Sequence, residues 1–255
     1  LCVLQGVSQA AAEFGDGMEL VLLGEEKAIR DCAKENKIDL APFEIFNCTE
    51  TIDMHDDPVK AVRHKKDSSL VKGLTMLKNG EGDAFVSAGS TGALLTGATL
   101  LVKRVKGIRR AAMGPAMPNK AGGKTVIVDC GANAECTPEF LLQFGLVGSV
   151  YAKKQLGVEN PRVGLLNIGT EDSKGTALQK EAYALLKDAG EKGLVNFVGN
   201  VEARDVPLGA VDVVVCDGFN GNVLLKTIEG TAMFMGSLMK KMFKKNLLSK
   251  LCYLL

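Results

Sequence analysis

The sequence RVGLLNIGTEDSKGT, residues 162–176, is followed by VNFVGN at 195–200 and VDVVVCDGFNGN at 211–222. Each apolar run ends in a turn rich in Gly, Asn, Asp or Lys. Near-continuous Val and Leu indicate strands of a buried parallel sheet. The carboxyl ends of such strands share one edge, where ligands bind. Backbone N–H groups, amides and one lysine at that edge predict an anion site, most simply for phosphate.

The same alternation of strands and helices extends outward from this stretch. Further strands are predicted at 18–24, 42–48, 83–89 and 124–133, with helical patterns between most of them and a loop at 108–123. This order predicts an α/β fold with a mostly parallel sheet. No shift in composition marks a boundary, so we predict one domain over residues 1–255. Its end, residues 231–255, reads as an amphipathic helical segment.

Composition excludes several classes of protein. Net charge is +1 and aromatic residues make up 5% with no Trp, which argues against a nucleic-acid partner. The seven scattered cysteines favour a reducing cytoplasm. With only His55 and His64 available, a His-based metal site or a Ser-His-Asp triad is not expected. No run is long and apolar enough for a transmembrane helix.

Two nucleotide-binding fingerprints are absent. Gly123-Lys124-Thr125 resembles the end of a phosphate-binding P-loop, but Pro118 occupies the position that requires the first glycine, and a strand follows rather than a helix. No G-x-G-x-x-G follows a strand, and this absence argues against a nicotinamide-dependent oxidoreductase.

Turns at several strand ends supply candidate ligand residues. The candidates for binding substrate and phosphate are Ser87, Gly89, Ser90, Thr91, Asn133, Asn167, Gly169, Thr170, Asn200, Asp217, Gly218 and Asn220. Plainer interpretations stay open, because Ser90 or Thr91 can simply cap a helix and the Asp129–Asn133 stretch can be a satisfied turn. Covalent catalysis by Cys130 or Cys216 is disfavoured, since no histidine lies nearby in sequence.

The stretch 231–255, TAMFMGSLMKKMFKKNLLSKLCYLL, alternates Met, Phe and Leu with lysines. Basic amphipathic helices of this kind lie on anionic membranes or in a partner's groove, although a packed helix or a dimer contact fits the same pattern. The predicted membrane-contact residues are Met235, Leu238, Met239, Met242, Phe243, Leu247 and Leu248.

Six motifs together resemble the bacterial acyl-acyl carrier protein:phosphate acyltransferases of phospholipid synthesis, the PlsX family. They are DDPVKAVRHKKDSSLVKGL, DAFVSAGSTGALL, VDCGANAECTPEFLLQFGLVGSVYA, NPRVGLLNIGTEDSKGT, NFVGNVEARD and DVVVCDGFNGNVLLKTIEG, and they cover residues 56–230 in family order. The family also opens with a strand and a glycine-rich turn and continues beyond the amphipathic stretch. Nothing in the chain matches those pieces, and we expect them to be missing from the printed sequence.

The resemblance implies a Rossmann-like three-layer α/β/α sandwich and a homodimer that is cytoplasmic and attached peripherally to the membrane. It implies transfer of a long-chain acyl group from acyl carrier protein to inorganic phosphate, without metal or organic cofactor. The acyl phosphate would pass to a glycerol-3-phosphate acyltransferase. Lys174 matches the family's catalytic lysine and Asn222 its catalytic asparagine. Basic runs at 63–66 or 103–110 would receive the acidic carrier protein.

Three alternatives remain. A phosphotransacylase that acts on small acyl-CoA thioesters shares the reaction type and the fold class. A non-catalytic, membrane-bound scaffold would recruit partners through residues 231–255. A sugar- or nucleotide-binding α/β enzyme is disfavoured by the missing fingerprints.

Overall fold

The computed structural model describes residues 1–244, in two compact units that divide after Lys106. The interpretation of the whole chain as a single domain stays a prediction. The helices and strands of the first unit are α1 (Cys2–Phe14), β1 (Val21–Gly24), α2 (Glu26–Glu35), β2 (Glu44–Asn47), α3 (Pro58–His64), α4 (Ser69–Asn79) and α5 (Thr91–Gly97), which continues as a π-helical turn over Ala98–Val102.

The first unit has two small apolar clusters. One packs α1 and α2 onto the parallel pair β1–β2, and the other joins α3, α4 and α5. Local capping fixes the helix starts: the Asp57 carboxylate accepts the N–H of Lys60 at 2.8 Å, with Pro58 at the first helical position. Ser68 caps α4 by accepting the N–H of Val71 at 3.4 Å, and the neighbouring Asp67 carboxylate contacts Thr49 and Lys72.

The predicted strand at 83–89 is wrong. These residues form no regular element, and Val86 is 92% exposed. A strand needs a neighbour to pair its backbone groups, and no strand of the described residues pairs with this segment. Phe85 is its anchor, since it packs closely over Gly73 of α4.

The second unit contains β3 (Ala116–Pro118), β4 (Lys124–Val128), α6 (Pro138–Leu156), β5 (Arg162–Asn167), α7 (Ala177–Glu191), β6 (Asn196–Glu202), β7 (Val213–Val215) and α8 (Gly218–Phe243). Its sheet has the order β3-β4-β7-β5-β6, and every pair is parallel except β3 with β4. The predicted loop at 108–123 therefore contains a short strand. Pro118 is tolerated there because β3 lies at the edge, where one side of the strand needs no partner.

Helices cover both faces of this sheet. Alternate strand residues such as Val128, Leu165 and Val215 pack under α6 and α7, whereas Ile127 and Val214 pack under α8. This two-residue alternation is what places successive side chains on opposite faces. The second unit thereby confirms the predicted three-layer α/β/α architecture with a mostly parallel sheet.

Candidate active site at the carboxyl edge of the large sheet

Lys174 and Asn222 follow neighbouring strands of the second unit. β5 pairs with β7 in parallel, so the turn after β5, which carries Lys174, and the start of α8, which carries Asn222, lie at the same edge. Parallel strands are about 4.8 Å apart, so the two segments begin from neighbouring positions on this edge.

The Lys174 turn is held by its own backbone and by Asn167. The Lys174 N–H donates to the carbonyl of Glu171 at 3.2 Å, and Asn167 Nδ2 donates to the carbonyl of Lys174 at 3.1 Å. Gly175 has φ +89°, and a Cβ there would lie 2.7 Å from Asn167 Oδ1, so the turn requires glycine. Among the described residues the ammonium of Lys174 has no hydrogen-bond or ion-pair partner, and the side chain is exposed. A free cation at this edge suits an anionic ligand.

Asn200 supports the same turn from β6. Its Nδ2 donates to the carbonyl of Glu171 at 2.7 Å, and the residue is only 9% exposed. Its Oδ1 has no partner in the described part of the chain. The amide donors of Asn167 and Asn200 therefore contact main-chain carbonyls, and their predicted role as phosphate ligands stays a prediction. Gly169 is buried under the aliphatic part of Lys174, and Thr170 is exposed beside it.

The start of α8 is fixed by Asp217 and two glycines. The buried Asp217 carboxylate accepts the N–H of Asn220 at 2.9 Å and its Nδ2 at 2.6 Å, as a helix cap does. Gly218 donates its N–H to the carbonyl of Asn133 at 2.7 Å. A Cβ at Gly221 would lie 1.8 Å from the carbonyl oxygen of Asp129, so only glycine permits this approach.

Asn222 comes one residue after this contact. Its side chain is exposed and forms no hydrogen bond within residues 1–244; its Cβ and Cγ lie 4.0 Å from the Cβ position of Gly131. The carboxamide is therefore available as a donor beside the turn that follows β4.

That turn is organised by Asp129, which is 0% exposed. Its carboxylate accepts the N–H groups of Met113, Ala132 and Asn133 at 2.9, 3.1 and 2.7 Å. Asn133 Nδ2 donates to both Asp129 and the carbonyl of Ala111. The plainer interpretation of a satisfied turn describes this contact network, and Asn133 offers no free amide hydrogen to a ligand.

Ser87, Gly89, Ser90 and Thr91 belong to the first unit. Ser90 is the helix cap: its buried Oγ accepts the N–H of Ala93 at 3.3 Å. Ser87 Oγ accepts the N–H of Gly89, and Thr91 is exposed. The capping alternative accounts for Ser90, and ligand binding by all four residues remains a prediction.

Buried thiols do not provide a nucleophile. Burial raises the pKa of Cys130 to about 12 and that of Cys136 to about 11, and it raises the pKa of Cys216 well above its ordinary value. The thiolate is the reactive form, and at neutral pH these groups stay protonated. This agrees with the low weight that the sequence gives to thiol catalysis.

Two apolar side chains that were not predicted as site residues lie in the same turns. Ile168 is 79% exposed directly after β5, and Phe219 is 65% exposed in the first turn of α8. The sequence feature that could have identified them is an apolar residue inside each otherwise polar motif, NIGTEDS and DGFNGN. A surface depression of about 530 Å³ lies at the opposite, amino end of β5 and β6, and its lining includes Lys153, Glu159 and Asn196.

The far part of α8 is exposed on all sides from Thr231 to Met242. This part contains four of the predicted membrane-contact residues, Met235, Leu238, Met239 and Met242. Phe243 is half-buried, and Leu247 and Leu248 lie outside the described residues. Within residues 1–244, no helix is both long and apolar enough to cross a bilayer. The same residues contain no group of three acidic, His or Cys side chains that could hold a metal ion.

Solved structures share this fold. A phosphotransacetylase, EutD, from Staphylococcus aureus superposes with a TM-score of 0.66 at 20% identity, over 90% of this chain and 78% of that one. A branched-chain phosphotransacylase from Enterococcus faecalis gives 0.53 at 16% identity, over 88% of this chain and 79% of that one. At such identities the similarity establishes the α/β fold alone.

Sequence relatives establish the family. The model of the family described as "Fatty acid synthesis protein" matches residues 1–255. A phosphate acyltransferase from Acetivibrio thermocellus is 47% identical over 253 residues, which are 99% of this chain and 73% of the relative. One from Bacillus cereus is 46% identical over 249 residues, 98% of this chain and 73% of the relative. The chain belongs to the fatty acid synthesis protein family, and it is an acyltransferase.

Proposed function

We propose that this enzyme transfers a long-chain acyl group from acyl carrier protein to inorganic phosphate. The observation that carries the proposal is the placement of an unpaired lysine and an unpaired carboxamide after adjacent strands. The names of its relatives, phosphate acyltransferases, specify phosphate as the acceptor. Acyl carrier protein as donor and a homodimer bound to the membrane surface follow from the family resemblance and are part of the proposal.

The chemistry needs charge control more than proton transfer. A phosphate oxygen attacks the thioester carbonyl carbon, a C–O bond forms, and the C–S bond breaks to release the carrier thiolate. That thiolate takes up the proton that phosphate brought. Phosphate is already an anionic nucleophile at neutral pH, so no strong base is required. The reaction is therefore compatible with a chain that has only two histidines.

Lys174 and Asn222 have distinct roles in this step. The Lys174 ammonium holds phosphate and offsets its charge as it approaches the acyl carbon. The Asn222 amide donates to the oxyanion that develops on the carbonyl oxygen or to the leaving sulfur. Both groups sit on rigidly held turns, which lowers the reorganisation needed during reaction.

The exposed Ile168 and Phe219 favour a lipid substrate over a small acyl group. Large apolar side chains at a functional edge gain free energy when an alkyl chain covers them, at about 25 cal/mol for each Å² buried. An acetyl group has too little surface to do so. A long-chain acyl group would cover part of both residues while its thioester reaches Asn222.

A thiol-release assay tests the proposed reaction. With palmitoyl-acyl carrier protein, the full chain is expected to release free carrier thiol when phosphate is present, and not when sulfate replaces it. Acetyl-CoA is expected to react more slowly. Faster turnover of acetyl-CoA would instead establish a small-acyl phosphotransacylase. Absence of any phosphate-dependent release would favour the non-catalytic scaffold.

We also propose that the exposed part of α8 binds an anionic membrane surface. Met235 and Met239 lie one helical turn apart, and burying such side chains in the acyl region yields about 1.5–3 kcal/mol each. The double variant Met235→Gln/Met239→Gln is expected to lose co-sedimentation with vesicles of phosphatidylglycerol, while turnover of soluble substrate is retained.

Val150→Gln provides the matched control, since Val150 is an exposed apolar residue of α6, away from α8. It should sediment with vesicles as the wild type does. If the double variant still sediments, the α8 face contacts protein instead, as in a dimer.

A further inference from the structure

Two carboxamides from neighbouring strands clamp one turn. Asn167 at the end of β5 donates to the carbonyl of Lys174, and Asn200 on β6 donates to the carbonyl of Glu171. The two bonds therefore reach the first and the fourth residue of the segment 171–174. β5 and β6 pair from Arg162 with Asn196 to Asn167 with Glu202, with one register shift between Val163 and Gly164, so both asparagines lie on paired strands.

Asn200 places a carboxamide in a nearly buried position. It is nine-tenths buried, and its Oδ1 has no partner within residues 1–244. A buried acceptor without a partner is unfavourable, and an apolar side chain of the same size would avoid it. What the asparagine supplies in return is one donated hydrogen bond, to the backbone of the Lys174 turn.

Backbone placement matters here because a lysine side chain is long and flexible. The Lys174 ammonium has no partner among the described residues that would fix it, so its position depends on where the turn holds the Cα atom. The contact of its aliphatic carbons with Gly169 depends on the same turn geometry.

We propose that Asn167 and Asn200 are positioning residues, which fix the turn so that the Lys174 ammonium meets phosphate in line with the thioester. The inference rests on the proposed function, and it replaces direct phosphate contact as the role of these two asparagines. Loss of either donor lets the turn move by a fraction of an ångström to about 1 Å, a displacement that can cost orders of magnitude in rate.

Asn200→Leu is the first test, because leucine matches asparagine in size and removes both the donor and the unpaired acceptor without adding charge. The KM for phosphate is expected to rise about tenfold or more, with the KM for the acyl thioester unchanged. Thermal stability should be equal to or above that of the wild type. Asn167→Ala, on a less buried residue, should give the same kinetic phenotype if Asn200→Leu does not fold.

A double-mutant cycle separates positioning from a general structural role. In a Lys174→Ala background, Asn200→Leu is expected to cause no further rise in the KM for phosphate, because its effect acts through Lys174. Asn196→Leu is the matched control: Asn196 lies on the same strand at the opposite end and donates to the carbonyl of Asn160. That variant should keep the wild-type KM for phosphate.

An unchanged KM for phosphate in folded Asn200→Leu and Asn167→Ala would overturn the inference. An Asn200→Leu substitution that raises the KM for phosphate equally with and without Lys174 would also overturn it. Failure of the proposed function itself has another signature, since the wild type would then release no thiol in response to phosphate.

Discussion

Replacing Lys174 or Asn222 with alanine is expected to lower phosphate-dependent turnover about a hundredfold or more, the scale of losing one preorganised donor to a developing oxyanion. Both side chains are exposed, and their polar groups have no partner within residues 1–244. Their removal therefore breaks no hydrogen bond or ion pair among the described residues, and Lys174→Ala loses only the contact of its aliphatic carbons with Gly169. Initial rates of thiol release under saturating acyl thioester measure the effect. Circular dichroism and melting curves should be unchanged.

Lys180→Ala is the matched control for the lysine. Lys180 is exposed on α7, a few residues after the Lys174 turn, and its loss should alter the rate less than twofold, about 0.4 kcal/mol in barrier height. If folded Lys174→Ala and Asn222→Ala variants keep near-normal rates, the assignment of the active site is wrong.

Gly221→Ala is expected to destabilise the second unit by about 3 kcal/mol, at the upper end of the cost of overpacking a core. The added Cβ would meet the Asp129 carbonyl oxygen at 1.8 Å and Cys216 Sγ at 2.8 Å, and a backbone carbonyl cannot rotate away as a side chain does. The start of α8 must then move off the sheet. The midpoint of urea denaturation measures the change, and activity should fall with it because Asn222 is the next residue.

Gly230→Ala makes the same substitution nine residues further along the same helix. No atom lies within 4 Å of its Cβ position, so alanine should raise stability by about 0.5–1 kcal/mol through helix propensity. The changes in stability at the two positions are expected to have opposite signs. A neutral or stabilising Gly221→Ala would show that α8 does not depend on this close approach.

Sequence patterns sufficed where local chemistry determines structure. The strand from Arg162 and the buried Val-rich β7 both follow from their near-continuous apolar runs, and both are present. The sequence also predicted that Lys174 and Asn222 lie at the same edge of the sheet, because parallel strands place their carboxyl ends together.

Features that depend on contacts distant in sequence were not predictable. The run 83–89 has strand composition, but a strand exists only with a partner, and composition does not reveal one. The hydrogen bonds from Asn167 to the carbonyl of Lys174 and from Asn200 to the carbonyl of Glu171 were likewise not predictable from the sequence. The approach of Gly221 to Asp129 joins positions 92 residues apart and could not be inferred from either segment.

α8 is one continuous helix whose first turns pack on the sheet and whose far part is exposed. The packed part includes Gly221, Leu224 and Ile228, and Met239 lies 11 residues beyond Ile228, about 17 Å at 1.5 Å per residue. A bend of about 10° beyond Ile228 would move Met239 by ~3 Å and would leave the Asn222 backbone in place. A displacement of the exposed part therefore need not reach the carboxamide beside the sheet.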